Sequence, residues 1–225
     1  MKKKPSKKKH PQKPIPRKPA KKSPPRKKLP RKPARKPLPK KLAVVFSSLG
    51  PAGASLYDDT QGAGVNGGGG PGPGFAVAAG FTPARNFKLR QIDVAFLTSN
   101  WPADPANTPS FRVGLYPDAG GKPAAGSIFS AAGFTTVSAC CGLQSWTFPG
   151  TSVGGVTLGA GQMYWITAEP TTNSDIITWA GSNQGATGPL IDGSWDEFAS
   201  PQTTWTPYNG VARGLPAFRV LGDPA

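Results

Sequence analysis

From residue 42 onward, glycine and proline interrupt the chain roughly every ten residues, and no stretch carries apolar side chains at helical spacing over even three turns. Such punctuation leaves room for short strands and little else. Phe111, Val113 and Leu115 alternate with Arg112, Gly114 and Tyr116, and Met163, Trp165 and Thr167 alternate with Tyr164, Ile166 and Ala168. Similar short runs occupy 75–81, 134–137, 143–148, 153–158, 176–179 and 215–221. Between Phe87 and Thr98 the phase slips: Phe87 and Leu89 share one parity, Ile92, Val94 and Phe96 the other. One extra residue near Arg90 and Gln91 restores a single buried face, which is the effect of a β-bulge.

Turn chemistry agrees. Asp118, Gly120, Gly121 and Pro123 suit a tight connection between two runs. The glycines at 62, 64, 67–70, 72 and 74 predict a long loop. About eight to ten short strands with regular turn signals and no helical crossover predict an all-β fold, an antiparallel jelly-roll-like β-sandwich. A disordered basic N-terminal tail precedes it.

Charge divides the chain in the same place. Residues 1–41 hold 20 of the 27 Lys and Arg and none of the 11 Asp and Glu, so the tail carries +20 and the remainder −4 within the total of +16. The tail also holds 11 of the 27 prolines and no aromatic residue. Like-charge repulsion, missing amide donors and the scarcity of apolar side chains predict disorder with a polyproline II bias. A retained tail is suited to phosphates or anionic headgroups, with Lys2, Lys3, Lys4, Lys7, Lys8, Lys9, Lys27 and Lys28 in its densest runs.

Leu42 to Leu49 follows directly and is open to two readings. A basic flank, an apolar run, the helix-breaking pair Gly50 and Pro51, and the small residues Ala52 and Ala54 are the parts of a secretory signal peptide cut between Ala54 and Ser55. The run falls far short of the roughly twenty apolar residues of a membrane anchor, so the sequence predicts no transmembrane anchor in this chain. Alternatively, Val44, Val45 and Phe46 favour a first buried strand. The expected organisation is a tail at 1–41, a signal-peptide region at 42–54 and a β-sandwich domain at 55–225.

Composition removes whole enzyme classes. The single histidine, His10, lies in the tail, and the two cysteines, Cys140 and Cys141, are neighbours. Ser-His-Asp and Cys-His triads, His-rich zinc sites and the two-histidine metalloprotease helix need an imidazole that 42–225 does not contain. Cys140 and Cys141 have three readings: two buried thiols, a strained vicinal disulfide, or an intermolecular bridge. Adjacent Cα atoms lie about 3.8 Å apart, below the usual disulfide range.

The segments Leu56-Tyr57-Asp58-Asp59, Gly74-Phe75 with Phe81, 89–96, 111–118 with Gly121, Lys122 and Pro123, 158–166, and Thr178-Trp179 follow one another in an order that resembles bacterial choice-of-anchor domains, most closely type R. The resemblance implies a secreted or surface-displayed β-sandwich module, of the kind found in PEP-CTERM-type surface proteins, with no catalytic activity. Members commonly continue into an apolar C-terminal sorting signal. This chain instead ends on Gly222, Asp223, Pro224 and Ala225.

Several residues remain as candidate chemistry. Asp192, Asp196 and Glu197 beside Trp195 have the composition of a glycosidase subsite, though Asp192, Gly193 and Ser194 also read as an exposed turn. Asp58, Asp59 and Asp118 supply oxygens that calcium could use, but no EF-hand loop is present. No other cofactor is implied. Among the six tryptophans, Trp146, Trp165 and Trp179 lie in strand-like runs and are expected in the core. Trp101, Trp195 and Trp205 lie in loop-like sequence, where each either stacks on a sugar ring or covers the end of the sandwich. The expected function is an exported, non-enzymatic module for surface structure or for binding an extracellular glycan or matrix component. The alternative is a nucleic-acid-binding or capsid-like protein with a retained polycationic arm.

Overall fold

A computed structural model of the chain describes residues 41–51, 56–68, 74–97, 111–132, 142–148, 155–172, 176–196, 203–207 and 214–225. They lie in a compact unit spanning Lys40–Ala225. Among them every regular element is a strand: β1 (Ala43–Ser47), β2 (Asp58–Asn66), β3 (Gly74–Phe81), β4 (Phe87–Leu97), β5 (Phe111–Pro117), β6 (Phe129–Ala132), β7 (Gly142–Thr147), β8 (Thr157–Leu158), β9 (Tyr164–Pro170), β10 (Ile176–Gly181), β11 (Leu190–Trp195), β12 (Thr203–Pro207) and β13 (Phe218–Pro224). All the pairings are antiparallel. The protein is all-β.

One continuous sheet runs in the order β1-β13-β4-β10-β2-β3-β9-β5-β6, with β7 and β8 also pairing with β4, and β11 pairing with β3 and then β12. It wraps around a core in sandwich-like fashion. Ile92, Val94 and Phe96 of β4 and Phe218 and Val220 of β13 meet Val77, Ala79, Phe81, Val113, Leu115, Ile166 and Ala168 of β3, β5 and β9 in one cluster. Aromatic pairs cross the gap: Phe96 and Phe111 have ring centroids 4.4 Å apart, Phe129 and Phe148 4.6 Å, and Phe81 and Phe218 6.1 Å. Trp146 and Trp179 belong to this core, as their strand alternation predicts, and the Trp179 indole donates to the Ala217 carbonyl at 3.1 Å.

The bulge lies where the phase slip puts it. Leu221 pairs with Gln91 but Gly222 with Leu89, so Arg90 is the extra residue; Leu89, Ile92, Val94 and Phe96 all join the core cluster, and Phe87 is buried.

The glycine-rich segment departs from expectation. Residues 62–66, expected as part of a long loop, belong to β2 and pair with β10: Ala63 and Val65 share the inward parity, and Gly62 lets the strands close up. A Cβ at Gly62 would collide with the Trp179 carbonyl and lie 2.6 Å from Thr178 Cγ2. Residues 192–194, expected as an exposed turn, are likewise strand, paired with β3 on one side and β12 on the other.

Of the two readings open for Leu42 to Leu49, the fold contains the strand. β1 pairs with β13 through Val44 with Leu221 and Phe46 with Val220. Phe46 stacks on Phe218 at 5.0 Å and meets Phe81 at 5.7 Å. Leu49 turns to the other face of β4 and packs with Ala95, Ala180 and Ala217.

Candidate functional site

In the β5–β9 pair, Arg112 stands opposite Glu169, Gly114 opposite Thr167 and Tyr116 opposite Trp165. Strand alternation gives Val113, Leu115, Ile166 and Ala168 to the core, so these six share the opposite face. That face is also covered. Trp165 is fully buried there with Ala78 and Ile191, and Tyr116, Met163 and Trp205 pack around it.

The cover comes from β12. Thr203 Oγ1 on β12 donates to Glu169 Oε2 on β9 at 2.6 Å, although β12 connects to β9 only through β11 and β3. Three strand spacings in a flat sheet would separate them by about 14 Å, so the sheet curls until β12 lies over the outer face of β5 and β9. Two glycines permit this. A Cβ at Gly193 would come within 2.5 Å of Thr203 Cγ2 and 2.9 Å of the Trp205 ring, and one at Gly114 would strike the Tyr116 ring and lie 2.8 Å from Thr167 Oγ1.

Between the curled hairpin and the β5–β9 face lies a cleft of about 350 Å³, bounded by Arg112, Tyr116, Glu169, Thr203 and Trp205, with Lys122 and 123–125 from the β5–β6 loop. That loop is fixed from below: Asp118 Oδ1 accepts the Trp165 indole N–H at 2.8 Å and the Gly121 amide at 3.1 Å. Gly120 and Gly121 have φ of 71° and 85°, the left-handed region in which glycine is unstrained.

Glu169 is 4% exposed. Its Oε1 accepts from Thr167 Oγ1 at 2.9 Å and from Tyr116 Oη at 3.3 Å, and Oε2 accepts from Thr203. A carboxylate offers about four acceptor positions, and donors among the described residues meet at least three of them. Burial pushes the Tyr116 phenol up to about 12, and the Glu169 charge and hydrogen bond add to this. Tyr116 is therefore a neutral donor at physiological pH.

No protein-family model, curated protein or solved structure matches this chain.

Of the sequence candidates among the described residues, Trp205 alone lines the cleft, half-buried along its wall. Trp195 is fully buried in β11 and so takes the packing role in place of ligand stacking. Asp192 lies on the face of β11 opposite Trp195. Asp196 is exposed just past the strand.

Asp58 Oδ1 accepts the Thr60 hydroxyl at 2.6 Å and the Thr60 amide at 2.9 Å, bonds that lower its pKa in that order, while Asp118 holds the loop. Among the described residues, no group of three His, Cys, Asp or Glu is placed to hold a metal ion, and no helix is long and apolar enough to cross a membrane. Lys2, Lys3, Lys4, Lys7, Lys8, Lys9, Lys27, Lys28, Ala54, Ser55, Trp101, Cys140, Cys141 and Glu197 lie outside the described residues.

Sequence reading missed Arg112, Tyr116, Lys122 and Glu169. One signal was present: Glu169 continues the parity of Trp165 and Thr167, so a carboxylate sits on the second face of a strand buried on both sides.

A second buried carboxylate is fully engaged. Asp93 Oδ1 accepts from Gln91 Nε2 and Ser145 Oγ, both at 2.6 Å, and Oδ2 takes Arg219 Nε at 2.9 Å and Nη2 at 2.7 Å. This network ties β4, β7 and β13 together.

Proposed function

We propose that this chain is a non-enzymatic β-sandwich binding module whose cleft receives a sugar ring of a glycan or matrix component. The observation that carries the reading is the juxtaposition of the half-buried Trp205 indole with Glu169, a carboxylate held in place by three protein donors. An apolar ring face stacks on an indole while its hydroxyls need an oriented acceptor and donors, and here Glu169, Arg112, Tyr116 and Lys122 are the polar groups at hand. The cleft volume suits a small ligand. Hydrolysis of a glycosidic bond needs two carboxylates flanking it. Glu169 is the one carboxylate among the described residues lining the cleft, which favours binding over turnover. The resemblance to choice-of-anchor domains supports the same class of module and would place it at the cell surface.

The test is calorimetric titration of the full chain with a panel of soluble oligosaccharides, neutral and acidic. At least one should bind with saturable heat, and Trp205→Ala should weaken it about tenfold, equivalent to about 1.4 kcal/mol, with an unchanged far-ultraviolet spectrum. A sugar that binds wild type and Trp205→Ala equally, or a panel with no binder, removes the cleft from this role.

A further inference from the structure

The charges around the cleft are graded by depth: Glu169 is buried, Arg112 half-buried and Lys122 exposed. Glu169 takes its hydrogen bonds from the hydroxyls of Thr167, Tyr116 and Thr203, all neutral donors, and Arg112 stands opposite it across the β5–β9 pair. Opposed side chains in such a pair have Cβ atoms about 5 Å apart, close enough for these two charges to offset each other. Among the described residues lining the cleft, the charge left over is the Lys122 ammonium.

Lys122 is placed by its backbone. Its carbonyl accepts the Ala119 amide at 2.8 Å, the Ala124 amide donates to the Pro117 carbonyl at 3.0 Å, and Asp118 forms a β-bridge with Pro123 across the turn. Asp118, the nearest carboxylate along the chain, is engaged by the Trp165 indole and the Gly121 amide. Lys122 forms no ion pair among the described residues. Residues 42–225 carry a net charge of −4, so the field of that part of the chain opposes an anion, and any attraction for one is local to the cleft.

We infer that the sugar ring proposed above to stack on Trp205 bears an anionic substituent, a carboxylate or a sulfate ester, that pairs with Lys122. The ligand class is thereby narrowed to a uronic-acid or sulfated glycan, and this narrowing rests on the stacking role of Trp205. A neutral ring leaves the Lys122 ammonium to water. An anionic group on the edge of the ring gives it a charge-assisted hydrogen bond while the apolar face stays on the indole. Pairing at the exposed Lys122 also keeps the ligand's charge on the outer side of the cleft, away from the buried Glu169 carboxylate.

The experiment is calorimetric titration of the full chain with matched oligosaccharides, each neutral member paired with its uronic-acid and its O-sulfated counterpart, in about 150 mM salt, which screens charges beyond about 8 Å. At least one anionic member should bind about fivefold more tightly than its neutral counterpart, the scale of a partly exposed ion pair. Lys122→Gln should reduce that member to the affinity of its neutral counterpart. Lys88→Gln, the same loss of charge at an exposed position of β4 outside the cleft, should keep the advantage. Anions drawn to the basic residues 1–41 affect wild type and both variants alike, so the comparison cancels them. Whichever counterpart gains more names the anion. A neutral member that binds at least as tightly as both counterparts, and is weakened by Trp205→Ala, overturns the anionic assignment while the stacking reading stands. An advantage that survives Lys122→Gln, or falls equally in Lys88→Gln, also overturns it. An anionic member that depends on Lys122 but not on Trp205 keeps the ion pair and removes the stacking, and a set with no binder removes both.

Discussion

Replacing Ser48 by Ala removes a single oxygen at the point where β1 meets the core. That oxygen donates to the Pro216 carbonyl and accepts the Phe218 amide, and Ser48 has no exposed surface. Each buried polar group deprived of its partner costs about 1 to 3 kcal/mol. Two such groups, less the cost of burying the hydroxyl itself, give a net loss of about 2 to 3 kcal/mol. For a domain of this size each kcal/mol lowers the midpoint by about 2 to 4 °C, so the full chain should melt about 5 to 10 °C lower. Val44→Ala, on the same strand but 56% exposed, is the control and should change stability by less than about 0.5 kcal/mol. Differential scanning calorimetry of the two variants makes the comparison. Equal melting temperatures for Ser48→Ala and Val44→Ala would refute the docking of β1.

Two other outcomes follow from the buried polar groups. Arg219→Ala leaves Asp93, with no exposed surface, beside a lost guanidinium that is itself 32% exposed; urea unfolding should show a loss of about 2 to 4 kcal/mol, and a loss under about 1 would mean that Gln91 and Ser145 suffice. The Tyr116 phenol ionises near 12 in the folded chain against an ordinary 10.0, so the stability it contributes is complete below pH 10 and lost as pH rises toward 12. Tyrosinate absorbance should therefore show a late-titrating phenol that Tyr116→Phe abolishes; a titration identical in that variant would contradict the buried contact with Glu169.

Side-chain parity is a local property, and where the structure depends on it the sequence was legible. The alternation of Phe111, Val113 and Leu115 identifies β5, and the slip between Leu89 and Ile92 locates a bulge before any partner strand is known, because each inward residue must fall on the same side of the pleat. The concentration of charge in residues 1–41 is equally a fact of the sequence. Glycine- and threonine-rich β2, β11 and β12 were not legible as strands. Their stability comes from backbone hydrogen bonds to β10 and β3, far away in the chain, and from close approaches such as Gly193 under Trp205 that only a curled sheet creates. The same curl decides the cleft, bringing Thr203 and Trp205 onto Glu169 and Tyr116 from strands that a flat sheet would hold apart. Leu42 to Leu49 shows the division most sharply. Its composition suits both a leader and a strand, and what separates them is whether β13 offers a free edge and the core a place for Phe46, which is a matter of tertiary packing.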